Sequence, residues 1–171
     1  MKTRYLLIIG LLTMLFNCQT KVNEVIATEY DLDNTIKAKG VLQFHIAQTD
    51  SLIEYRLTED NSKGDSSVSD IWFYKPTQTD SIIYLWDMVM KLSATKNYKI
   101  DGVENEVLKY VYKDGMDGDM TLFLNRAYGP IIVRNDFWKG MNTTYDRPMD
   151  KKRELIELIK NDSLDFGGYD K

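Results

Sequence analysis

Short segments in which apolar and polar residues alternate run from Val25 to Arg134 and constrain the fold more than any other feature of this chain. Successive side chains of a strand point to opposite faces, so a period of two is typical of antiparallel β structure. Turn residues separate the segments, which lie at 40–48, 51–58, 71–74, 120–125 and 131–134. The pattern predicts a β-rich domain built as an antiparallel meander, in a sheet that is curved or closed into a half-barrel.

Two parts of the meander differ in how well the sequence defines them. Residues 97–112 predict a hairpin around Asp101-Gly102, because this dipeptide tolerates the positive φ of a tight turn. Ser81–Ser93 fits two templates. As a strand it has an apolar even-numbered face from Ile82 to Leu92, and as a helix it has an apolar stripe. The wholly apolar even face favours a strand, and the helix remains an alternative. The polar stretch Glu59–Asp70 predicts an exposed loop.

The C-terminal part has a different period. A helix is predicted to open near Pro148, since proline is tolerated in the first turn. Leu155, Ile156 and Ile159 form an apolar stripe with Met149. The remaining side chains are predicted to be solvated, namely Lys151, Lys152, Arg153, Glu154, Glu157 and Lys160. An amphipathic helix packed on a sheet makes the predicted fold class α+β.

The N-terminus reads as a targeting segment. Lys2 and Arg4 precede twelve mostly apolar residues, 5–16, and Cys18 follows them. As a helix the apolar run would be about 18 Å long, well short of the roughly 30 Å hydrocarbon core of a bilayer. These features predict a signal peptide that is removed, and they argue against a permanent transmembrane helix.

Leu15-Phe16-Asn17-Cys18 resembles the lipobox of bacterial lipoproteins, in the relaxed form of Bacteroidota-like sequences. The resemblance implies that acyl chains such as palmitate are attached to Cys18 and that the chain is cut just before it. The implied organisation is a signal peptide at 1–17, a lipidated tether at 18–24 and one globular domain at 25–171. The implied location is the cell envelope, on the periplasmic side of the outer membrane. An ordinary signal peptide cut elsewhere, which leaves Cys18 discarded or as a free thiol, is the alternative.

Charge and cysteine content exclude some classes of partner. The chain has 22 Lys and Arg against 26 Asp and Glu, and two of the basic residues belong to the predicted signal. An acidic balance argues against nucleic acid as a partner, because phosphate binding needs a basic patch. Cys18 is the one cysteine, so no disulfide is expected, and an apolar fraction of 43% is sufficient for a packed core.

No residue pattern in the chain predicts catalysis or a cofactor. His45 is the one histidine and is predicted to be a partly exposed strand residue. The sequence has no zinc motif and no nucleophile elbow. Asp114, Asp117 and Asp119 invite comparison with a calcium loop, but their spacing differs from that of an EF-hand. A hairpin turn is the favoured interpretation of these three carboxylates, with cation binding as the alternative.

Aromatic residues recur through the predicted strands. Core packing and cross-strand pairing explain them most simply, and a concave face that binds a lipid, glycan or peptide is the alternative. The residues concerned are Trp72, Phe73, Tyr74, Tyr84, Trp86, Tyr98, Tyr110, Tyr112, Phe123, Tyr128, Phe137 and Trp138.

Three functions are compatible with these features. The first is a non-catalytic binding or interaction module, held to the membrane by acyl chains on Cys18 and associated with an envelope protein. The second is a periplasmic carrier or sensor that binds an apolar or glycan ligand on an aromatic sheet face. The third is a hydrolase built from carboxylates, although no spacing singles out a catalytic pair.

Overall fold

The structure is a computed structural model that describes residues 23–31, 35–59, 71–114, 118–135, 141–146, 151–162 and 166. The described residues form ten strands and one helix. The strands are β1 (Asn23–Tyr30), β2 (Ile36–Gln48), β3 (Leu52–Glu59), β4 (Ile71–Pro76), β5 (Ile82–Leu85), β6 (Met88–Ile100), β7 (Val103–Asp114), β8 (Gly118–Asn125), β9 (Gly129–Asn135) and β10 (Met141–Asp146). The helix, α1, spans Lys152–Asn161.

The sheet is a closed antiparallel barrel in which each strand pairs with its neighbours in sequence. β1 closes it by pairing with β2 on one side and β10 on the other. The predicted β-rich antiparallel fold with a C-terminal helix is confirmed, and the sheet closes fully rather than halfway. Closure pairs the strand edges that an open sheet would leave free for aggregation.

The two ends of the barrel are named here by their turns. The lower end carries the β6–β7 turn at Asp101-Gly102 and the β8–β9 turn at residues 126–128. The upper end carries the β5–β6 turn at Trp86-Asp87. Asn23, where β1 begins, pairs with Phe44 in the lower half of β2. The chain therefore enters the barrel from its lower half.

Alternation along the strands fills the barrel interior with apolar side chains. The fully buried inward-facing residues include Leu42, Phe44, Leu57, Phe73, Ile83, Leu85, Met90, Tyr110, Leu122 and Leu124. A second apolar cluster lies outside the sheet and joins it to α1. Its members are Tyr98, Ile100, Val107, Phe123, Ile131, Ile132, Leu155, Ile156, Ile159 and Phe166. The helix thus covers part of the outer surface, as the amphipathic pattern predicted.

A bulge in β6 connects these two clusters. The pairing register with β7 shifts between Leu92 and Ala94, so Ser93 is the extra residue. Met90 and Leu92 face the interior above the bulge, whereas Ala94, Tyr98 and Ile100 below it belong to the outer cluster. Because an extra residue in one strand exchanges its faces, one strand contributes to both clusters.

The predictions for residues 97–112 and for Ser81–Ser93 had different outcomes. The Asp101-Gly102 turn is confirmed, with φ of 48° and 80° at the two residues, as a two-residue hairpin turn of the type I′ class requires. For Ser81–Ser93, the single-strand and helix predictions are both wrong. A turn at Trp86-Asp87 divides the segment into β5 and β6, so the even-numbered residues do not share a face. Apolar residues occupy the even-numbered positions both before and after the turn, so the sequence pattern does not reveal the turn.

One side chain of α1 departs from the prediction. Lys152 was expected to be solvated but is fully buried, with its Nζ donating to the carbonyl oxygen of Tyr128 at 3.3 Å. The same ammonium lies 5.7 Å from the ring of Phe44, a distance that allows a cation–π contact. The prediction failed because the helix begins only at Lys152, so its first residue turns towards the sheet. Among the described residues, no helix is long and apolar enough to cross a bilayer.

Candidate binding slot at the upper end of the barrel

The upper parts of β6 and β7 separate from each other. Their ladder begins at Lys91 opposite Val111, whereas β5 pairs with β6 from Met88 and β7 pairs with β8 as far as Asp114. Met88–Met90 and Tyr112–Asp114 therefore lie on either side of a gap in the barrel wall. The foot of this gap lies next to the Ser93 bulge, where extra residues commonly end strand pairing.

The gap forms a cavity of about 360 Å³, which we call the slot. Its lining is Val89, Lys91, Leu92, Ser93, Val111, Tyr112 and Lys113. Leu92 and Tyr112 also pack against the interior cluster, and Val89 is exposed on the outer surface. The slot thus joins the outer surface to the inward-facing side chains. Its volume is at the lower end of the range typical of ligand pockets, roughly 300–1,000 Å³.

Burial of the interior is uneven near the upper end of the barrel. Ile71, Met88 and Leu92 face inward but are only half-buried. Leu85, which pairs with Met88, and Met90 are completely buried. A few apolar side chains of the interior are therefore accessible at the upper end, next to the slot.

The outer rim of the slot carries positive charge. Lys91 is exposed and forms no ion pair with a described residue. Lys113 is 72% exposed and its Nζ lies 3.9 Å from a carboxylate oxygen of Asp119. An exposed pair at that distance contributes little, commonly below 1 kcal/mol. The slot therefore combines an apolar inner part with two ammonium groups at its mouth.

Trp86 is the most unusual residue of the upper end. It occupies the β5–β6 turn with φ of 52°, and its side chain is 58% exposed. A positive φ is a genuine outlier for a bulky residue and costs of order 1–3 kcal/mol. Val89, three residues later, is also exposed. The strained turn thus exposes a large aromatic side chain to solvent. This side chain lies three residues before Val89, which lines the slot.

A charged network closes the lower end. Arg126 in the β8–β9 turn donates to both carboxylate oxygens of Asp80, at 2.8 and 2.6 Å, and to Glu106 at 2.9 Å. Lys75 also pairs with Asp80, and only 3% of its side chain is exposed. The hydrogen bonds from Arg126, followed by the contacts of Lys75, lower the pKa of Asp80 despite its partial burial.

The neighbours of this network explain its position. Asn125 is buried, and its side-chain oxygen accepts hydrogen bonds from the backbone N–H groups of Ala127 and Tyr128, which shapes the turn that carries Arg126.

Tyr110 is fully buried, and its hydroxyl has no hydrogen-bond partner among the described residues. Burial and the nearby charge of Asp80 raise the pKa of Tyr110.

A second groove, of about 350 Å³, lies between α1 and strands β1, β2 and β10. Several charged side chains line it and are paired across it. Arg153 bonds to Asp146 at 2.6 Å, and the ammonium of Lys160 lies 4.5 Å from the ring of Tyr30. These contacts tie the helix to the barrel, so we interpret this groove as a packing seam rather than a binding site.

The predicted site residues do not converge on the slot. Cys18 and Asp117 lie outside the described residues. His45 is half-buried on β2, opposite Arg56 on β3. Asp119 is the partner of Lys113 at the slot. No group of three potential metal ligands occurs within the part of the chain that the structure describes. Of the predicted loop Glu59–Asp70, Glu59 instead ends β3, and residues 60–70 lie outside the described part, as do the turn residues 115–117.

The aromatic residues are distributed over three environments. Phe73 and Tyr110 fill the interior, Tyr98 and Phe123 lie in the cluster under α1, and Trp72 lies on the outer surface with the Arg56 guanidinium 4.1 Å from its ring. Phe137 and Trp138 are outside the described residues. The described aromatic residues thus form no single concave face. Nothing in the sequence indicated the slot, because it arises from a bulge at an ordinary serine.

No protein-family model, curated protein or solved structure matches this chain. A functional proposal therefore rests on the geometry of the barrel itself.

Proposed function

We propose that this protein is a lipid-anchored, non-catalytic binding protein of the bacterial cell envelope, and that it takes a small apolar or amphiphilic ligand in the slot. The observation that carries the proposal is the separation of β6 from β7, which exposes interior side chains such as Leu92 through the barrel wall. Closed barrels of similar size either fill their interior with side chains or hold one small ligand. Here side chains fill most of the interior, and the slot is the space that we propose for a ligand.

The proposed anchor gives the barrel an orientation. Cys18 precedes Asn23 by five residues, which span at most about 18 Å when fully extended. β1 begins in the lower half, so acyl chains on Cys18 would hold the lower end near the membrane. The slot then faces away from the anchoring bilayer. A ligand would reach it from the aqueous side, which fits the periplasmic face of the outer membrane.

The surroundings of the slot favour binding over chemistry. The charged lining residues are Lys91 and Lys113, and Asp119 is the ion-pair partner of Lys113. His45 lies on β2, four or more strands away around the barrel. General acid–base catalysis needs a titratable side chain within hydrogen-bond reach of the reacting group, most often a histidine or a carboxylate. The lining residues include neither of these, and their ammonium groups and tyrosine are sufficient for recognition.

Native ligand capture tests the proposed function. Val111→Trp adds a large side chain to the lining of the slot, and Val103→Trp makes the same change on the exposed lower end of β7. Each full-length protein is purified from its own membranes, and the organic extract is compared by mass spectrometry. We expect one small molecule near stoichiometry in the wild type and in Val103→Trp, and its loss in Val111→Trp. The same extract from all three proteins would contradict the proposal.

The anchor has a separate test. Cys18→Ser removes the sulfur to which acyl chains would be attached, and membrane fractionation then reports where the chain goes. Two or more acyl chains give stable membrane attachment, whereas one gives only marginal binding. We expect the serine variant to leave the membrane pellet. A variant that stays in the pellet after a high-salt wash would contradict lipidation at Cys18.

Docking of an envelope protein is the second candidate function, and the exposed Trp86 favours it. Tryptophan is enriched among the residues that contribute most of the binding energy of protein interfaces. A photo-crosslinking amino acid at Asp87 would then capture one envelope protein in stoichiometric amount, and Val111→Trp would leave this capture unchanged. Loss of capture on filling the slot would instead connect Trp86 to the ligand site.

A further inference from the structure

We infer that the ligand of the slot is a single-chain anionic amphiphile, whose alkyl chain enters the barrel wall while its headgroup lies between Lys91 and Lys113. The inference rests on the proposed function and specifies its ligand class. Both lysines line the same cavity as Leu92 and Tyr112, so one molecule can contact the apolar and the charged parts together.

The strand register places the two ammonium groups on one face. Lys91 is the pairing partner of Val111, and Lys113 lies two residues further along β7. Positions two apart on a strand share a face, so Lys91 and Lys113 are diagonal neighbours on the outer side of the slot. An anionic headgroup at the mouth would therefore meet both ammonium groups and replace the long contact of Lys113 with Asp119.

The inner part of the slot selects for an alkyl chain. Leu92 and Tyr112 pack against the interior cluster, and half-buried Met88 follows the β5–β6 turn on the same inward face. These side chains border the interior cluster, in which Met90, between Met88 and Leu92 on the same face, is fully buried. An alkyl chain that enters from the outer surface thus passes from Val89 and Val111 to the interior cluster.

The size of the slot limits the ligand to one chain. A volume of about 360 Å³ is near the lower limit for pockets that bind small molecules. The two chains of a membrane phospholipid would not fit within it. The chain as a whole is acidic, with a formal net charge of −4. The two lysines that line the slot therefore favour an anionic ligand through their local charge and not through the net charge of the protein.

Photoaffinity labelling in membranes tests the ligand class with the full-length protein. Three probes carry a diazirine at the end of the same twelve-carbon chain, and their headgroups are a carboxylate, an alcohol and a trimethylammonium. Labelled peptides are mapped by mass spectrometry. We expect labelling of residues 88–93 and 111–113, with the carboxylate probe preferred over the cationic probe by about tenfold, as charge contacts worth 1.4 kcal/mol would give.

Lysine variants separate the headgroup contact from general apolar binding. The double variant Lys91→Met/Lys113→Met removes both charges and keeps side chains of similar length. We expect the three probes to label this variant to the same extent. Lys99→Met is the control, since Lys99 is an exposed lysine of β6 at the lower end. It should keep the tenfold preference. Equal labelling by the three probes in the wild type, or labelling outside the slot, would overturn the inference.

The native extract distinguishes the two levels of proposal. A neutral or cationic molecule that is lost on filling the slot would leave the proposed function standing and overturn the anionic ligand class. An extract without any slot-dependent molecule would overturn both.

Discussion

The two halves of the barrel differ in how the end of the barrel is closed and in how far the nearby interior side chains are buried. In the lower half, complete burial of Phe44 and a charged network around Asp80 close the end of the barrel. In the upper half, β6 and β7 separate, and interior side chains such as Leu92 remain half-buried. Binding sites commonly occupy the less stable parts of a fold, because well-packed parts leave no room for a ligand. The lower half thus carries the charged network, and the proposed binding site lies in the upper half.

The largest expected effect concerns the buried charge of the lower half. Asp80→Ala removes the carboxylate that neutralises Lys75, a side chain with only 3% exposure. An uncompensated buried charge is strongly destabilising, so we expect the free energy of unfolding to fall by about 3 kcal/mol. Chemical denaturation of the wild type and the variant measures this difference.

A double variant identifies the cause of that loss. Lys75→Met combined with Asp80→Ala removes both charges, and replacing a buried ion pair by apolar groups is often nearly neutral. We expect it to recover most of the lost stability. Glu157→Gln, which breaks an exposed pair with Lys160, is the control and should cost less than about 1 kcal/mol. A double variant no more stable than Asp80→Ala would show that the lost contacts of Asp80 with Arg126 dominate.

The second effect tests how tightly the lower half is packed. Gly129 begins β9 with φ of 71°, and a Cβ at this position would overlap the ring of Phe44. Gly129→Ala therefore combines backbone strain with overpacking of a closed core, and we expect a loss of about 2–3 kcal/mol. Gly102→Ala also has a positive φ, but a Cβ there has open space around it. It should cost only about 1 kcal/mol, and equal losses would contradict tight packing around Phe44.

The third effect has the opposite sign and concerns the upper half. Trp86→Gly removes the strain of a positive φ at a bulky residue in the exposed turn. We therefore expect the free energy of unfolding to rise by about 1 kcal/mol. If the strained conformation of Trp86 contributes to binding, the carboxylate probe should label this variant less efficiently, or the variant should no longer capture the crosslinked protein partner. A stabilised variant with unchanged ligand and partner binding would remove Trp86 from the functional surface.

Alternation in the sequence predicted most of the barrel because the inside of a sheet is apolar and its outside is mixed. It located β2, β3, β4 and the β6–β7 hairpin, and a period of 3.6 located α1. The β10 strand was not predicted, since Asn142-Thr143-Thr144 carries little apolar contrast. Closure could not be predicted either, because it depends on the pairing of β1 with β10, which are distant in sequence.

The candidate site escaped prediction for a local reason. A bulge at Ser93 shifts the register by one residue, and serine is as acceptable in a regular strand as in a bulge. The turn at Trp86 was hidden because tryptophan is a poor signal for a tight turn. Lys75 and Lys152 were unrecognisable as buried residues, since lysine is seldom buried without a partner. The partner of Lys75 is Asp80, beyond the end of β4, and the partner of Lys152 is the Tyr128 carbonyl in the β8–β9 turn, and no local pattern marks either contact. The features that sequence reasoning missed are thus the places where local rules fail.

Protonation of Asp162 gives the smallest effect and is expected to act on the lower half. Asp162 accepts hydrogen bonds from Lys96 and Tyr98 on the lower part of β6, which lower its pKa below the usual value of 3.8. Because the folded state binds a proton less readily than the unfolded chain, the stabilisation is complete above about pH 4 and is lost as the pH falls through the lowered pKa. The carboxylate is 19% exposed, so we expect a loss below about 1 kcal/mol.

Hydrogen exchange and a charge-neutral variant check where this loss occurs. Between pH 4 and pH 2, the amides of α1 and of the lower part of β6 should lose protection before those of β8 and β9, because Asp162 connects the helix to β6. Asp162→Asn should be less stable than the wild type at pH 6 and should show a flatter decline below pH 4. Were the upper strands next to the slot to open first in acid, the lower half would not be the acid-sensitive part, and the division between a charge-stabilised end and a ligand-accessible end would fail.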